Sequence, residues 1–310
     1  MDKAQALPIE NKKPRRLKST RVYVIPYLVW SFIFLVIPVL ILVFMAITSY
    51  NLSSGSEFRF TLEYWSNVFG SGERARVFWS AVGRSFLYSF LVTLFCFLIG
   101  YPTAYFMTKV KAKWRVILMA LLILPLWSNQ VLRIVSWRSI FEMLKMNQSS
   151  LYGFNIVVAM ISMYLPFMII PIYTVLEKLD PRVIEASYDL GCTKAKSFLK
   201  VTFPLSLGGI VSGVIMTFLP ALTQFEVSDA ISYNNIQLLG NLIYTRFKGT
   251  GGLNEGSVFS IFVVAFTIVS FVLLLRVDKE GETLIWEMVL SKRSLRSYQS
   301  LYHSLSFTYQ

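Results

Sequence analysis

Six stretches of this chain carry no charged side chain for the length of a bilayer crossing or close to it: 22–56, 85–108, 116–132, 146–176, 201–225 and 256–275. A helix rises 1.5 Å per residue, so roughly 20 apolar residues cross the ~30 Å hydrocarbon core of a membrane. In lipid every backbone polar group must be paired inside its own segment or a closed barrel, and uninterrupted apolar runs of this length favour the helix. The pattern therefore predicts an all-α, polytopic membrane protein with six spans, at about 24–48, 84–107, 116–137, 156–176, 205–227 and 257–275. Composition agrees, because 55% hydrophobic residues and a mean hydropathy of +0.56 leave more apolar surface than a water-soluble fold can hide. Around the membrane domain, residues 24–276, lie a basic tail at 1–23 and a charged, Tyr- and Ser-rich tail at 277–310.

The net charge of +13 is a statement about topology. Of the 30 Lys and Arg, 21 lie in the N-terminal tail, the 107–115 turn, the polar stretch between the fourth and fifth spans, and the tail from Arg276. The alternate loops at 49–81, 138–154 and 228–256 hold seven. By the positive-inside rule both termini and that polar stretch are expected in the cytoplasm, with anionic lipid headgroups as counter-charge rather than nucleic acid. The KKPRRLK run before the first span has no small-x-small cleavage site, so the first span is read as uncleaved.

Catalytic chemistry finds little purchase. Cys96 falls inside a span and Cys192 in the polar stretch, so a disulfide between them is not expected, and the only histidine is His303 in the tail. That excludes a His/Cys metal cluster. No GxxxxGK[ST] phosphate loop and no nucleophile–base–acid set occurs, so the chain is read as a non-enzyme without its own cofactor, drawing energy from a partner.

Within the spans, polar and helix-breaking residues mark places to watch. Pro26 and Pro38 lie in the first span, and Trp65, Phe69 and Trp79 in the outer segment suit the interfacial aromatic belt. The third span carries LPLWSNQVLRI, 124–134, whose polar cluster is expensive in lipid unless it faces protein or water. Gly209 and Gly213 stand in GxxxG register in the fifth span, where small residues admit close helix approach.

The polar stretch from Asp180 to Pro204 reads helix, glycine joint, helix. Asp180 can cap a helix that Pro181 begins, and Gly191 can stop it in a left-handed conformation. Thr193 can cap a second helix through Lys200, and Pro204 allows the turn into the next span.

Glu185-Ala186-Ser187, Gly191, Val201 and Pro204 resemble the EAA loop of ABC-importer permeases, E-A-A-x3-G-x9-I-x2-P, with Ser187 at the second alanine and Val201 at the isoleucine. The segments LPLWSNQVLRI, YLPFMIIPIYTVLEKLDPRVIEASYDLG and LPALTQFEVSD are similar to the B-type permease subunit of spermidine/putrescine importers, over roughly 24–276. The loop before the fourth span is shorter than in that family, and the long C-terminal tail is additional. The resemblance implies a prokaryotic plasma membrane, a second homologous permease, two ATPase subunits holding ATP and Mg, and an extracytoplasmic polyamine-binding protein. It also implies that the 180–204 stretch is a cytoplasmic coupling helix. Glu185, Ala186, Ser187, Asp189, Gly191 and Pro204 would then couple to the ATPase.

A polyamine is a chain of ammonium groups on methylene spacers, so its path wants carboxylates, carbonyls and aromatic faces. Trp127 and Asn129 fall ~16–20 Å into the third span and Tyr164 ~12 Å into the fourth from the other side, which makes them candidate contacts. Each has a plainer reading as helix packing. Glu226 and Asp229, three apart, share a helix face at the outer end of the fifth span and could attract the polycation. Glu226 could equally pair with Arg133 or Arg84. The rival readings are the same architecture carrying sulfate, iron or a compatible solute, and, from another class, an ion-gradient-driven carrier.

Overall fold

The structure is a computed structural model that describes residues 20–49, 59–249 and 252–272. The tails expected at 1–23 and 277–310 lie wholly or mostly outside the described residues, as does the end of the sixth span. Among the described residues the fold is all helical, with one isolated antiparallel bridge, Thr48 to Phe60.

Four helices are long and apolar enough to cross a membrane alone, and six crossings result if each of two bent helix pairs counts as one. The first, α1, is Thr20–Ala46 and accommodates Pro26 and Pro38 inside one helix. A short helix α2, Ser66–Phe69, leads to α3, Glu73–Lys109, whose 37 residues begin well before the charge-free run at 85–108. Trp65 and Trp79 fasten this end: their indole N–H groups donate to the carbonyls of Ala46 and Val68 at 3.1 and 2.9 Å.

The span expected over 116–137 is divided. Helix α4, Ala112–Trp127, and helix α5, Gln130–Met143, meet at 95°. The cause is local: Ser128 and Asn129 are extended, and the Asn129 side chain accepts a hydrogen bond from the Val131 N–H at 2.8 Å, capping α5.

Helix α6, Tyr152–Glu177, is the centre of the bundle, with 61% of its apolar window buried. It packs against both α3 and α10, Leu207–Thr223, which also meet each other. Small residues make these approaches possible. A Cβ on Gly209 would sit 2.9 Å from the Pro171 carbonyl oxygen, and one on Gly213 2.8 Å from Met168 Sδ, so the GxxxG register meets α6. By contrast none of the apolar window of α1 is buried within this chain.

Beyond α10, helices α11, Glu226–Ser232, and α12, Leu239–Lys248, cover one end of the bundle before α13, Leu253–Val272. Glu255, its side chain only 6% exposed, ties this end together by ion pairs of 3.6 Å to Arg74 and 3.5 Å to Arg246.

Candidate functional site

The opposite end of the bundle carries the 180–204 hairpin. Asp180 caps α7, Pro181–Asp189, by accepting from the Arg182 N–H at 3.0 Å, with Pro181 where its missing donor costs nothing. The helix stops at Gly191, whose φ of +78° is the left-handed conformation that glycine adopts cheaply. Two hydrogen bonds close the end, Cys192 N–H to Ser187 O at 3.0 Å and Gly191 N–H to Tyr188 O at 2.8 Å, the Schellman arrangement.

The second arm differs from the expected short helix. Thr193 caps α8, Lys194–Ser197, through the Lys196 N–H at 3.4 Å, but the arm runs on through a π turn, Phe198–Thr202, and α9, Phe203–Leu205. Pro204 is therefore inside the arm rather than at a turn. In a regular α-helix its ring would meet the carbonyl four residues back; the π turn widens the ladder just before it, with Phe203 N–H reaching Phe198 O. The 60° bend into α10 falls at Ser206.

Two hydroxyl relays fix this arm. Ser187 and Ser197 are both buried, and their Oγ atoms lie 2.6 Å apart across the hairpin. At the far end Tyr101 of α3 donates to Ser206 Oγ at 3.0 Å, since Ser206 spends its own proton on Phe203 O at 2.8 Å. The rings of Phe198 and Phe203 pack on Tyr101 at 5.8 and 5.6 Å. Glu185, Ala186 and Asp189 point outward beside exposed Val183, Tyr188 and Leu190. The stretch thus offers a protruding helix, apolar and acidic on its free face, on a braced arm.

At the other end, α5, α6, α10 and α11 converge. Tyr164 is buried with its hydroxyl 3.4 Å from the Pro220 carbonyl oxygen, within electrostatic reach of Glu226 and Arg133. Gln130 Nε2 donates to Glu226 at 3.3 Å. No ion pair within 4.0 Å joins Glu226 to Arg133 or Arg84, and the Arg133 Nε and Nη1 atoms are buried without a hydrogen-bond partner. Asp229 is exposed one turn further on, within reach of Lys248.

The structure thus brings Tyr164 and Glu226 together and leaves Trp127 apart, 88% exposed at the end of α4. Asn129 spends its side-chain oxygen on the α5 cap. A bracket that the sequence did not announce holds α11 in place. Tyr233 donates to Glu142, Arg138 pairs with Glu142 at 3.0 Å, and the Arg138 guanidinium lies 4.3 Å over the Tyr233 ring. The Glu142 carboxylate, accepting its proton, holds the Tyr233 hydroxyl above its ordinary pKa. Tyr233 and Asn234 at positive φ mark the tight reversal after α11.

Residues 85–279 match the family described as binding-protein-dependent transport system inner membrane component. The chain is 31% identical over 246 residues to the spermidine/putrescine transport system permease protein PotB of Haemophilus influenzae, covering 75% of this chain and 84% of that one. To PotB of Escherichia coli it is 29% identical over 261 residues, covering 79% and 92%. Among solved structures, a bacterial ABC transporter involved in the import of the acidic polysaccharide alginate matches with a TM-score of 0.64 at 16% identity, over 85% of this chain and 94% of that chain. The alginate transporter in complex with a pentasaccharide-bound periplasmic protein gives 0.61 at 18% identity, over 83% and 91%.

Proposed function

The chain belongs to the family of binding-protein-dependent transport system inner membrane components, and from that premise we propose that it is one permease subunit of an ATP-driven polyamine importer. It sits in a prokaryotic plasma membrane as a multi-pass protein and shares the translocation path with a second, homologous permease. The observation that carries the substrate is the 31% identity to a spermidine/putrescine permease over three quarters of the chain.

The geometry supports a mechanism of alternating access. The hairpin end faces the cytoplasm, where α7 docks by its exposed Glu185, Ala186 and Asp189 face on an ATPase subunit that binds ATP and Mg. Closure of two such ATPases displaces α7. The braced arm 194–205 carries the displacement through the Ser206 bend into α10, which is seated on α6 by Gly209 and Gly213. At the outer end a binding protein releases its polyamine over Asp229 and Glu226. The Glu226 carboxylate offers charge for an ammonium, and the Tyr164 ring, buried behind it in this conformation, would offer an aromatic face once the path opens. The bare apolar flank of α1 is left for lipid and for the second permease.

A second reading, the same architecture carrying an anionic solute, draws on one observation: the buried, unpartnered Nε and Nη1 of Arg133 at the same mouth. Uptake of labelled spermidine, putrescine and sulfate separates the two, measured in cells whose own polyamine import is deleted and which express this chain with its partner subunits. Polyamine uptake alone supports the first reading; sulfate uptake alone replaces it with the second.

A further inference from the structure

The joint between the two arms of the hairpin is closed by the backbone hydrogen bonds that end α7, with few side-chain ties across it. A Cβ built on Gly191 would meet nothing within 4 Å, so no neighbouring side chain packs on that face of the joint. On α7 only Ser187 is fully buried and Ile184 half-buried. One side-chain hydrogen bond among the described residues crosses from α7 to the second arm, between Ser187 and Ser197.

Its protons can be assigned. Ser187 Oγ donates to the Ile184 carbonyl at 2.6 Å, so the hydrogen in the 2.6 Å contact with Ser197 comes from Ser197. The relay runs Ser197 to Ser187 to the α7 backbone, with the two residues 1% and 6% exposed, out of reach of competing water. Tyr101, Ser206 and Phe203 O form the same kind of relay at the other end of the arm. An alanine at position 187, as in the E-A-A pattern, would have neither an acceptor for Ser197 nor a tie to the arm.

We infer that Ser187 and Ser197 are positioning residues, a buried hydroxyl lock that fixes the angle between the coupling helix and the arm leading into α10, so that movement of α7 reaches the path without slack. This rests on the importer reading above. The lock adds a side-chain tie between the arms to the backbone hydrogen bonds that end α7 at Gly191.

The test uses the whole transporter in proteoliposomes with its binding protein, and reads ATP hydrolysed per polyamine delivered. Ser187→Ala should assemble, since alanine is the family pattern's residue there. It should raise that ratio on the order of 2- to 10-fold, the worth of one hydrogen bond. The double variant Ser187→Ala with Ser197→Ala is decisive. It leaves no orphaned hydroxyl, so a pair that merely satisfies itself would return the ratio to wild type and overturn the inference. A lock predicts the ratio stays raised, while Ser187→Thr, which keeps the hydroxyl, restores it. If the wild-type complex shows no polyamine-dependent ATP hydrolysis, the importer reading itself falls; a normal wild-type ratio unmoved by all three variants removes the lock alone.

Discussion

Gly191 holds a φ of +78°, which a β-branched side chain reaches only at a cost of about 1–2 kcal/mol. Gly191→Val should therefore leave the protein in the membrane while uptake falls about tenfold. Immunoblots of the membrane fraction beside initial uptake rates check this, and normal uptake would remove the joint from the coupling route. Glu226→Gln keeps the Gln130 contact but deletes the charge at the outer mouth. Losing a charge-assisted contact of about 1.5–3 kcal/mol should raise the half-saturating concentration of polyamine-loaded binding protein at least tenfold with little change in the maximal rate. An unchanged half-saturation would assign Glu226 to α11 packing. Gly191, Asp180 and Thr193 were legible because capping is local chemistry. Ser187–Ser197 and the Arg138–Glu142–Tyr233 bracket were not, because their partners meet only once the chain has folded. Which way Trp127 faces was not legible for a related reason: depth counted along a span says nothing of side-chain direction, and the structure leaves it exposed at the end of α4.

At the level of elements, the long spans were legible because periodicity is not needed where every face is apolar. The break in the third was signalled by Pro125 and Asn129 but was outweighed by the continuous run around it. Helix packing is the sharper test here. Gly209→Val places carbon where the Pro171 carbonyl oxygen would stand 2.9 Å and Ile172 Cα 3.1 Å from the new Cβ, both backbone atoms that do not yield. Overpacking of this kind costs about 1–3 kcal/mol, so the detergent-solubilised complex should lose its monodisperse peak at a temperature several degrees lower. The same substitution at Gly72, where a Cβ meets nothing within 4 Å, should leave the profile unmoved.

For the whole molecule, the orientation inferred from 21 of 30 basic residues has a direct probe in the chain's two cysteines. Cys96 is buried beside α6 and Cys192 is half-exposed on the hairpin. With Cys96 replaced by alanine, an impermeant thiol reagent should label inside-out vesicles and spare right-side-out ones; the reverse pattern would turn the protein over. The central proposal for this chain is that it couples polyamine delivery to ATP hydrolysis in partner subunits. The measurement is the ATPase rate of the complex purified with its ATPase and second permease, in lipid, against binding protein loaded with spermidine, putrescine, sulfate or iron. Stimulation is expected from the polyamine-loaded protein and not from the others. Stimulation by sulfate or iron alone, or a complex from which no ATPase co-purifies, contradicts it.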